Sequence, residues 1–493
     1  MSKYEIVIGM EVHAELLTHS KQFCGCANVA LAPPNTHVCP VCLGFPGSLP
    51  VLNGKSVDLS LRTVLAFGSQ INRDSIFERK NYFYPDLPKA YQVSQRLLPL
   101  GEGGFIEIDV PQSSENGESS TRIKRVSLHD VHMEEDTGKS QHGESIGDPS
   151  SSLIDYNRAG IPLLEIVSNP DMRSIEEAEA YMTALRQLLL YLEVSDCKME
   201  QGRLRFEASV SLRPFGQEEF GTRVEVKNLN SMKSVRDSLR AEIARQERVL
   251  DSGGTVEQMT MLWDEASGTT QPMRSKEQAH DYRYFPEPDL VPLQIDDAWL
   301  ARVQSEMPEL PRERKIRFIQ SLGLSPYEAD VLTVSRELAD YYEHVLDGFD
   351  KADGSAPKIV SNWVSNELLG RLNADGKTVI DSPVSPDKLR GLLKLMDAAT
   401  ISGKTAKDVF DEMFASGRDA PSIVEERGLT QMSDTSELEA ICARVIAANA
   451  KAAEDFKAGK ERSFGALVGG VMKETKGRAN PALVNELLRK QLA

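Results

Sequence analysis

Two segments of this chain alternate apolar and charged residues, and no other feature restricts the possible folds as strongly. In "EIVIGMEVHAEL", residues 5–16, apolar residues alternate with polar ones, and "RLRFEASVSL", residues 203–212, repeats the pattern. Alternation with a period of two predicts β-strands that have one apolar face and one polar face. A Pro/Gly-rich turn then leads into "TRVEVKN", residues 222–228, so we predict a hairpin.

Strand and helix patterns alternate up to about residue 293, and only amphipathic helical patterns follow. Between the strands, segments such as "SIEEAEAYMTALRQLLLYLE", residues 174–193, predict helices with one apolar stripe. Interleaved strands, hairpins and helices favour an α+β fold over a doubly wound parallel sheet. The length of 493 residues and the two shifts in pattern predict three domains, at residues 1–293, 294–405 and 406–493.

The charge and hydropathy of the chain exclude two broad classes of protein. The net charge of −17 excludes a generally basic coat for nucleic acid, although residues 451–493 contain nine basic and five acidic residues, a local balance of 9 − 5 = +4. A solvated helical surface explains this asymmetry unless another feature points to nucleic acid. No apolar run approaches the roughly 18 residues that a membrane span needs, and the N-terminus is too polar for a signal peptide. We therefore expect a cytoplasmic protein without a membrane segment.

Four of the six cysteines lie in one Pro/Gly-rich loop, "CGCANVALAPPNTHVCPVC", residues 24–42. Cys24 and Cys26 form a C-x-C pair, and Cys39 and Cys42 form a C-x-x-C pair. Two close pairs of thiolates suit a tetrahedral Zn²⁺ site with no open position, so such a site would be structural. Reduced free thiols are the alternative, because disulfides do not suit a cytoplasmic chain.

The polar faces of the predicted strands hold most of the candidate chemistry. Charged residues of both signs share these faces or lie just before them: Glu11, His13, Lys198, Glu200, Arg205, Glu207, Glu225 and Lys227. A solvated sheet face explains any one of these strands. If the faces converge, however, two carboxylates about 4 Å apart repel by roughly 4 kcal/mol at an effective dielectric constant of 20, so they need a cation. Carboxylates near His, Lys and Arg suit Mg²⁺ and a nucleoside triphosphate.

The segment "HMEEDTGKS", residues 132–140, adds Glu134, Glu135 and Asp136 to these acidic residues. Its end resembles a P-loop, but residue 133 is Met where a P-loop requires Gly. Three adjacent carboxylates would also repel a bound phosphate. The segment is therefore predicted to bind a metal ion that accompanies phosphate, rather than phosphate itself.

Several longer strings resemble those of one protein family. They are "LIDYNRAGIPLLEIVSNPD", "RKNYFYPDLPKAYQVSQ", "HMEEDTGKS", "DYRYFPEPDLVPL", "IGMEVHAEL", "VEVKNLNSMKSV" and "NPALVNELL", and the match runs from about residue 5 to the C-terminus. The chain resembles the GatB family, the B subunits of tRNA-dependent amidotransferases. The resemblance implies an α+β cradle domain related to glutamine synthetase, then a helical domain, then a YqeY-like tail that contacts tRNA.

The resemblance also implies a reaction, that of an ATP-dependent carbon–nitrogen ligase with glutamine as amide donor. Glu mischarged on tRNA(Gln), or Asp mischarged on tRNA(Asn), is phosphorylated on its side chain and then amidated with ammonia. The chain shows no Gly/Ser-rich amidase signature, so ammonia must come from another polypeptide. In the family this is the amidase subunit GatA, which forms a heterotrimer with GatB and the small belt subunit GatC. The sequence leaves open whether Glu-tRNA, Asp-tRNA or both are substrates.

The resemblance further implies roles for individual residues at matching positions. The first candidates for Mg²⁺ ligands are Glu11, His13 and Glu135, although the motif does not choose between Glu134 and Glu135. The second candidates, as ligands or residues of an ammonia path, are Glu200, Glu207 and Glu225. The candidates for contact with phosphate or carboxylate are Lys80, Arg205 and Lys227. The candidates for nucleotide contacts are Glu134, Asp136, Asn157, Arg158, Glu165 and Lys198.

Three of these assignments have alternatives. Asn157 and Arg158 could form an ordinary turn before a buried strand. Glu165 lies inside an apolar run and needs a partner there, so it either lines the site or pairs with Arg158. The aromatic segment "NYFYPD", residues 81–86, could stack on adenine or on the terminal tRNA base, or pack in the core.

Two other classes of function also have to be considered. A noncatalytic scaffold that presents tRNA through the cysteine loop and the tail would not need the acidic residues. A carboxylate-bound metallohydrolase would need neither a tRNA-binding tail nor a supplier of ammonia. Glu11, His13 and Glu135 are all present, and we therefore favour the amidotransferase.

Overall fold

The fold is that of a computed structural model, which describes residues 3–29, 32–113, 119–143, 148, 150–273, 282–350, 354–430, 435–475 and 479–492. The chain divides into two compact units, residues 1–311 and 312–493. The first unit is rich in strands and the second is helical, which confirms the predicted α+β class. Among the described residues, no helix is both long enough and apolar enough to cross a membrane.

The first unit is built on a large mixed sheet with β1 at its centre. The strands of the first unit are β1 (Tyr4–Glu15), β2 (Gln70–Ile71), β3 (Asp74–Ser75), β4 (Glu78–Asn81), β5 (Tyr91–Ser94), β6 (Gly101–Glu102), β7 (Phe105–Ser113), β8 (Ser119–Glu135), β9 (Lys139–His142), β10 (Ser152–Asp155), β11 (Pro162–Ser168), β12 (Leu204–Pro214), β13 (Val224–Leu229), β14 (Met259–Asp264), β15 (Thr269–Pro272), β16 (Phe285–Pro286) and β17 (Leu293–Gln294). The pairs β9–β10 and β3–β17 form two separate two-stranded sheets, and the other strands form the large sheet. The main order is β15-β14-β13-β12-β1-β11-β8-β5-β4-β16, from which β2, β6 and β7 branch. β1 pairs antiparallel with β11 and β12, and β12 pairs antiparallel with β13 as the predicted hairpin.

Helices cover the apolar face of this sheet. Those of the first unit are α1 (Gly54–Phe67), α2 (Ile175–Tyr191), α3 (Met232–Asp251) and α4 (Asp297–Ser305). α2 packs against β7 and α3 against β12, and their apolar stripes share one core with Met10 and Val12 of β1. Because side chains alternate along β1, Glu11 and His13 must point to the other face.

The division between the two compact units falls at residue 311. The indole Nε1 of Trp299 in α4 donates a 2.6 Å hydrogen bond to Asp58 in α1, and Arg302 contacts the same carboxylate at 2.6 Å. β17 pairs with β3, which also ties residues just after 292 to the first unit. The residues that follow the loss of strand pattern near residue 294 therefore still contact the first unit.

The second unit is helical and contains two hydrophobic cores. Its helices are α5 (Pro311–Leu322), α6 (Pro326–Leu332), α7 (Arg336–Leu346), α8 (Ser355–Asn362), α9 (Leu369–Ala374), α10 (Pro386–Asp397), α11 (Gly403–Ser416), α12 (Ala420–Glu426), α13 (Thr435–Ala448), α14 (Ala450–Lys457), α15 (Arg462–Glu474) and α16 (Pro481–Leu492). A π-helical segment, Trp363–Leu368, joins α8 to α9. One core extends from Phe318 to Val424 and the other from Leu438 to Leu492. Helices α11 and α12 contribute to the first of these cores. The second core therefore begins at Leu438, after the change in sequence pattern near residue 405.

Candidate active site on the polar face of the sheet

Strand register brings ionisable residues from four strands together on the polar face. Glu11 and His13 of β1 lie opposite Glu207 of β12 and Glu165 of β11, respectively. Glu165 in turn lies opposite His132 of β8. Residues that face each other across paired strands point to the same side of a sheet, with Cβ atoms roughly 5 Å apart. The convergence on which the Mg²⁺ prediction depends is therefore present for these residues.

One group on this face combines imidazole and carboxylate. Glu165 Oε2 lies 3.3 Å from His13 Nε2 and 3.1 Å from His132 Nε2, and Glu134 Oε1 lies 3.6 Å from His132 Nε2. Ligand atoms of His13, Glu134 and Glu165 all lie within 4.8 Å of one another. Burial alone would raise the pKa of Glu165, but the two histidines outweigh it and hold that pKa well below its usual value. His13, His132, Glu134 and Glu165 together form the histidine cluster.

A second group consists of carboxylates only. Oxygen atoms of Glu11, Glu207 and Glu225 lie within 4.8 Å of one another. Lys227 Nζ lies 2.7 Å from Glu207 and 3.4 Å from Glu225, so it neutralises part of their charge. Burial, and then repulsion by Glu165, Glu225 and Glu207, raises the pKa of Glu11 to about 7. This carboxylate cluster has more negative charge than its one lysine balances.

Lys80 of β4 adds a cation beside the histidine cluster. Its Nζ lies 5.2 Å from the centre of the Tyr282 ring, and within the described ranges it forms no ion pair within 4.0 Å. Burial would lower the pKa of Lys80, but the charge of Glu134, with smaller effects of Tyr284 and Glu165, raises it above its ordinary value. Lys80 is therefore a protonated lysine whose charge remains available to an anionic substrate.

Asp136 lies beyond the histidine cluster, at the end of β8, and is held by two arginines. Its Oδ2 lies 3.1 Å from Arg205 Nη2 and 3.5 Å from Arg158 Nε. Arg158 also donates to the carbonyls of Thr137, at 3.1 Å, and Gly138, at 2.8 Å. Burial would raise the pKa of Asp136, but Arg205 and Arg158 lower it. Arg158 thus pairs with Asp136 and not with Glu165.

Glu135 lies on the opposite face of the sheet from Glu134. Its carboxylate pairs with Lys89 and accepts a 3.0 Å hydrogen bond from the backbone N–H of Val93. It lines an open cleft of about 250 Å³ together with Lys89 and the cysteine loop. The expectation that Glu135 joins Glu11 and His13 is therefore corrected: adjacent residues of a strand point to opposite faces, and Glu134 is the one on the polar face.

The four cysteines of the loop converge as their spacing predicts. The sulfur atoms of Cys24, Cys26, Cys39 and Cys42 lie within 4.8 Å of one another, and none of these cysteines forms a disulfide. The backbone N–H of Cys39 donates to Cys42 Sγ at 3.1 Å. The Cys24 thiol, followed by that N–H and the nearby ammonium of Lys21, lowers the pKa of Cys42 to about 5. Four soft donors held by tight turns fit Zn²⁺ well.

Comparisons with known proteins identify the family to which the chain belongs. Residues 6–301 match a family model described as the GatB/GatE catalytic domain, and residues 343–492 match one described as the GatB domain. The chain belongs to the GatB family. Two of its relatives are B subunits of aspartyl/glutamyl-tRNA(Asn/Gln) amidotransferase. The relative from Carboxydothermus hydrogenoformans is 52% identical over 493 residues, which is 100% of both chains. The relative from Moorella thermoacetica is 53% identical, and the match covers 99% of this chain and 100% of its own.

Three further residues predicted to contact ligands also lie outside both clusters of this GatB chain. Glu200 is exposed on a 3₁₀ turn, Met199–Gln201. Lys198 is exposed and lies 3.4 Å from Asp196. Asn157 is buried. Its Oδ1 accepts a 2.8 Å hydrogen bond from the backbone N–H of His37, and its Nδ2 donates a 2.7 Å hydrogen bond to the carbonyl of Pro33, both in the cysteine loop. Asn157 therefore has a structural partner at each end of its amide.

The sequence of this GatB chain did not lead us to name His132 or Lys89 as candidate site residues. His132 could have been found, because it stands two residues before Glu134 and so shares its face of β8. Lys89 has no such local signal, since its partner Glu135 is 46 residues away and the contact depends on the pairing of β5 with β8.

The two clusters of this GatB chain fit divalent cations to different degrees. The carboxylate cluster offers only oxygen atoms, which Mg²⁺ prefers. The histidine cluster adds a nitrogen, so its donor set also suits Mn²⁺ or Zn²⁺. Both clusters therefore fit the Mg²⁺ expected from the sequence, and the carboxylate cluster fits it better.

Proposed function

We propose that this chain is the amidating component of a tRNA-dependent amidotransferase that uses ATP. Its substrate is Glu mischarged on tRNA(Gln), Asp mischarged on tRNA(Asn), or both. The observation that supports this most directly is the convergence, on one face of the sheet, of two acidic clusters and a lysine that has no ion pair among the described residues. The names of the relatives, which are B subunits of aspartyl/glutamyl-tRNA(Asn/Gln) amidotransferase, support the class of substrate.

The chemistry explains why such a site needs both acids and bases. A carboxylate reacts poorly with ammonia because its oxygen is a poor leaving group. In the proposed first step this oxygen attacks the γ-phosphorus of ATP and ADP leaves. In the second step ammonia attacks the carbonyl carbon, phosphate leaves, and the amide remains on the tRNA. Each step brings anions together, so positive charge has to be fixed in place beforehand.

Each cluster has a proposed role in this reaction. Glu11, Glu207 and Glu225 would hold one Mg²⁺, and His13, Glu134 and Glu165 a second divalent ion, with His132 orienting Glu165. Bound Mg²⁺ would neutralise phosphate charge and align the reacting oxygens. Lys80 stabilises the transferred phosphoryl group or the substrate carboxylate with its ammonium. Lys227 and Arg205 stabilise the carboxylates around the site until substrate binds.

The proposal includes partners that the chain itself does not provide. Ammonia would come from glutamine through an amidase subunit, GatA, in a heterotrimer that also contains the belt subunit GatC. The Cys₄ loop would hold a structural Zn²⁺, and the C-terminal helices would form the YqeY-like tail that contacts tRNA. The first unit would then be a cradle of the glutamine synthetase type. Since aminoacyl-tRNA is made and used in the cytoplasm, we propose that the reaction takes place there.

A matched pair of variants tests the assignment of the site. The chain is combined with its amidase and belt partners, mischarged tRNA, ATP and Mg²⁺, without an ammonia donor, and ATP cleavage is followed. We expect Glu134→Gln to lower tRNA-dependent cleavage by about 100-fold or more, because it removes a ligand on the polar face. Glu135→Gln, the neighbour on the other face, should lower it far less.

Two results would contradict the proposal. A larger loss in Glu135→Gln than in Glu134→Gln would show that the polar face is not the reacting face. Absence of tRNA-dependent ATP cleavage in the unsubstituted complex would exclude phosphorylation by this chain and favour the scaffold. Thermal unfolding of both variants is measured as a control, because breaking the buried Glu135–Lys89 pair lowers stability.

A further inference from the structure

Lys21 is a fully buried lysine beside the cysteine loop. Its Nζ donates to Cys42 Sγ at 3.8 Å and to the carbonyl of Tyr156 at 3.4 Å. Among the residues that the structure describes, it forms no ion pair with a carboxylate within 4.0 Å. A buried ammonium without an anionic partner is strongly unfavourable, and proteins rarely contain one.

The nearby carboxylate does not remove this cost. Glu135 lies on the same side as Lys21, since a Cβ built on Gly160 would be 3.6 Å from Lys21 Cδ and 3.7 Å from Glu135 Oε2. Lys89 and the backbone N–H of Val93 both bind Glu135 Oε1, however, and neither Glu135 oxygen lies within 4.0 Å of Lys21 Nζ as an ion pair. Among the described residues, the group with anionic character that Lys21 Nζ contacts directly is therefore Cys42 Sγ, one of the four cysteine sulfurs.

A metal-bound cysteine cluster would supply the missing anion. Four thiolates on one Zn²⁺ leave two negative charges that the metal does not balance. The backbone of Lys21 is tied to the first cysteine pair, because its N–H donates to the Cys26 carbonyl at 2.9 Å. Its side chain reaches Cys42 of the second pair. Lys21 therefore connects the two halves of the cluster from the inside of the protein.

We propose that Lys21 is the internal counter-cation of a metal-bound Cys₄ cluster and holds the metal through its contact with Cys42. The inference rests on the Zn²⁺ site included in the proposed function. The ammonium offsets thiolate charge and donates an N–H···S bond, so the metal-bound form is favoured over the free thiols. Lys21 does not bind the metal. It is a positioning residue that acts through Cys42.

The test compares zinc retention in the full-length chain, Lys21→Met and Lys124→Met. Methionine keeps most of the volume of lysine without its charge. Lys124 is the control, because it pairs with Glu177 and not with the cysteine loop. After zinc content is measured, a chromophoric chelator is added and zinc transfer is timed. We expect transfer about 10- to 100-fold faster from Lys21→Met than from the unsubstituted chain, and little change in Lys124→Met.

A second measurement separates this role from ordinary core packing. Thermal unfolding is compared with and without zinc, and the thiolate-to-metal charge-transfer band is recorded after Co²⁺ replaces zinc. Lys21→Met should unfold at a lower temperature than the unsubstituted chain with zinc bound, but at the same or a higher temperature once zinc is removed. Its Co²⁺ band should also shift, because the charge on Cys42 changes.

Three outcomes would overturn the inference, and they differ from one another. If the unsubstituted chain takes up no zinc, both the Zn²⁺ site and the role of Lys21 fail. If it binds zinc but Lys21→Met releases zinc no faster, only the role of Lys21 fails. If Lys21→Met lowers the unfolding temperature equally with and without zinc, Lys21 is an ordinary core residue.

Discussion

Glu11 is the residue at which the requirements of the site and of the fold conflict most clearly. Its pKa of about 7 arises from burial and from the charges of Glu165, Glu225 and Glu207. In the unfolded chain Glu11 ionises near its ordinary pKa, but in the folded chain only near pH 7. The folded state therefore loses stability as the pH rises from the ordinary value of a glutamate to about 7.

This conflict predicts a variant that is more stable and less active. In magnesium-free buffer at pH 8, Glu11→Gln should raise the free energy of unfolding by about 2–3 kcal/mol, because it removes an ionised carboxylate from a crowded site. At pH 5 most of this difference should disappear, since Glu11 is then largely protonated in the folded chain. Thermal unfolding at the two pH values measures the effect.

Mg²⁺ provides the control for the Glu11 variant. Added Mg²⁺ should stabilise the unsubstituted chain at pH 8 and have little effect on Glu11→Gln, which lacks one ligand. A variant that is destabilised equally at both pH values would mean that Glu11 stabilises the fold by packing and not by repelling its neighbours.

At the scale of elements, much of the polar face could be predicted from alternation within single strands. Glu11 and His13, and likewise Glu207 and Glu225, were placed on polar faces by a pattern that extends over a few residues. Which strands become neighbours is a different matter. The pairing of His13 with Glu165 joins residues 152 positions apart, and no local pattern encodes it.

The difference between local alternation and long-range pairing also explains which residues the sequence placed wrongly or left unnoticed. Glu134 and Glu135 are chemically equal in the sequence. Alternation places Glu134 on the face of His132 only if β8 continues as a regular strand to Glu135, and that continuation depends on its pairing with β5 and β11. Lys21 likewise looks like an ordinary surface lysine until the fold encloses it. Residues whose role depends on contacts over long separations were the ones that the sequence did not reveal.

The connection between the cysteine loop and the turn after β10 yields a prediction at this scale. Asn157 bonds the loop at both ends of its amide, at His37 and Pro33. Asn157→Ala removes both hydrogen bonds to the cysteine loop, so it should destabilise the first unit by about 1–2 kcal/mol. A lower unfolding temperature with an unchanged KM for ATP would agree. A large rise in that KM would instead assign Asn157 to nucleotide binding.

For the whole molecule, the position of the boundary between the two units has a measurable consequence. Residues 294–311 contain α4, whose Trp299 and Arg302 contact Asp58 of α1. A fragment of residues 1–311 should therefore fold cooperatively and unfold several degrees above a fragment of residues 1–293, which exposes the surface that α4 covers. Circular dichroism melting of the two fragments decides this. Equal melting temperatures would mean that the first unit ends before α4.

The two faces of β8 carry different groups of residues, and only the backbone of the strand lies between them. Glu134 on one side belongs to the histidine cluster, and Glu135 on the other pairs with Lys89 beside the cysteine loop. In evolutionary terms, a substitution at either position alters one side only. An insertion or deletion of a single residue just before Glu134 exchanges the two sides at once. In this part of β8 a substitution therefore affects one side of the strand, whereas a change in length affects both sides.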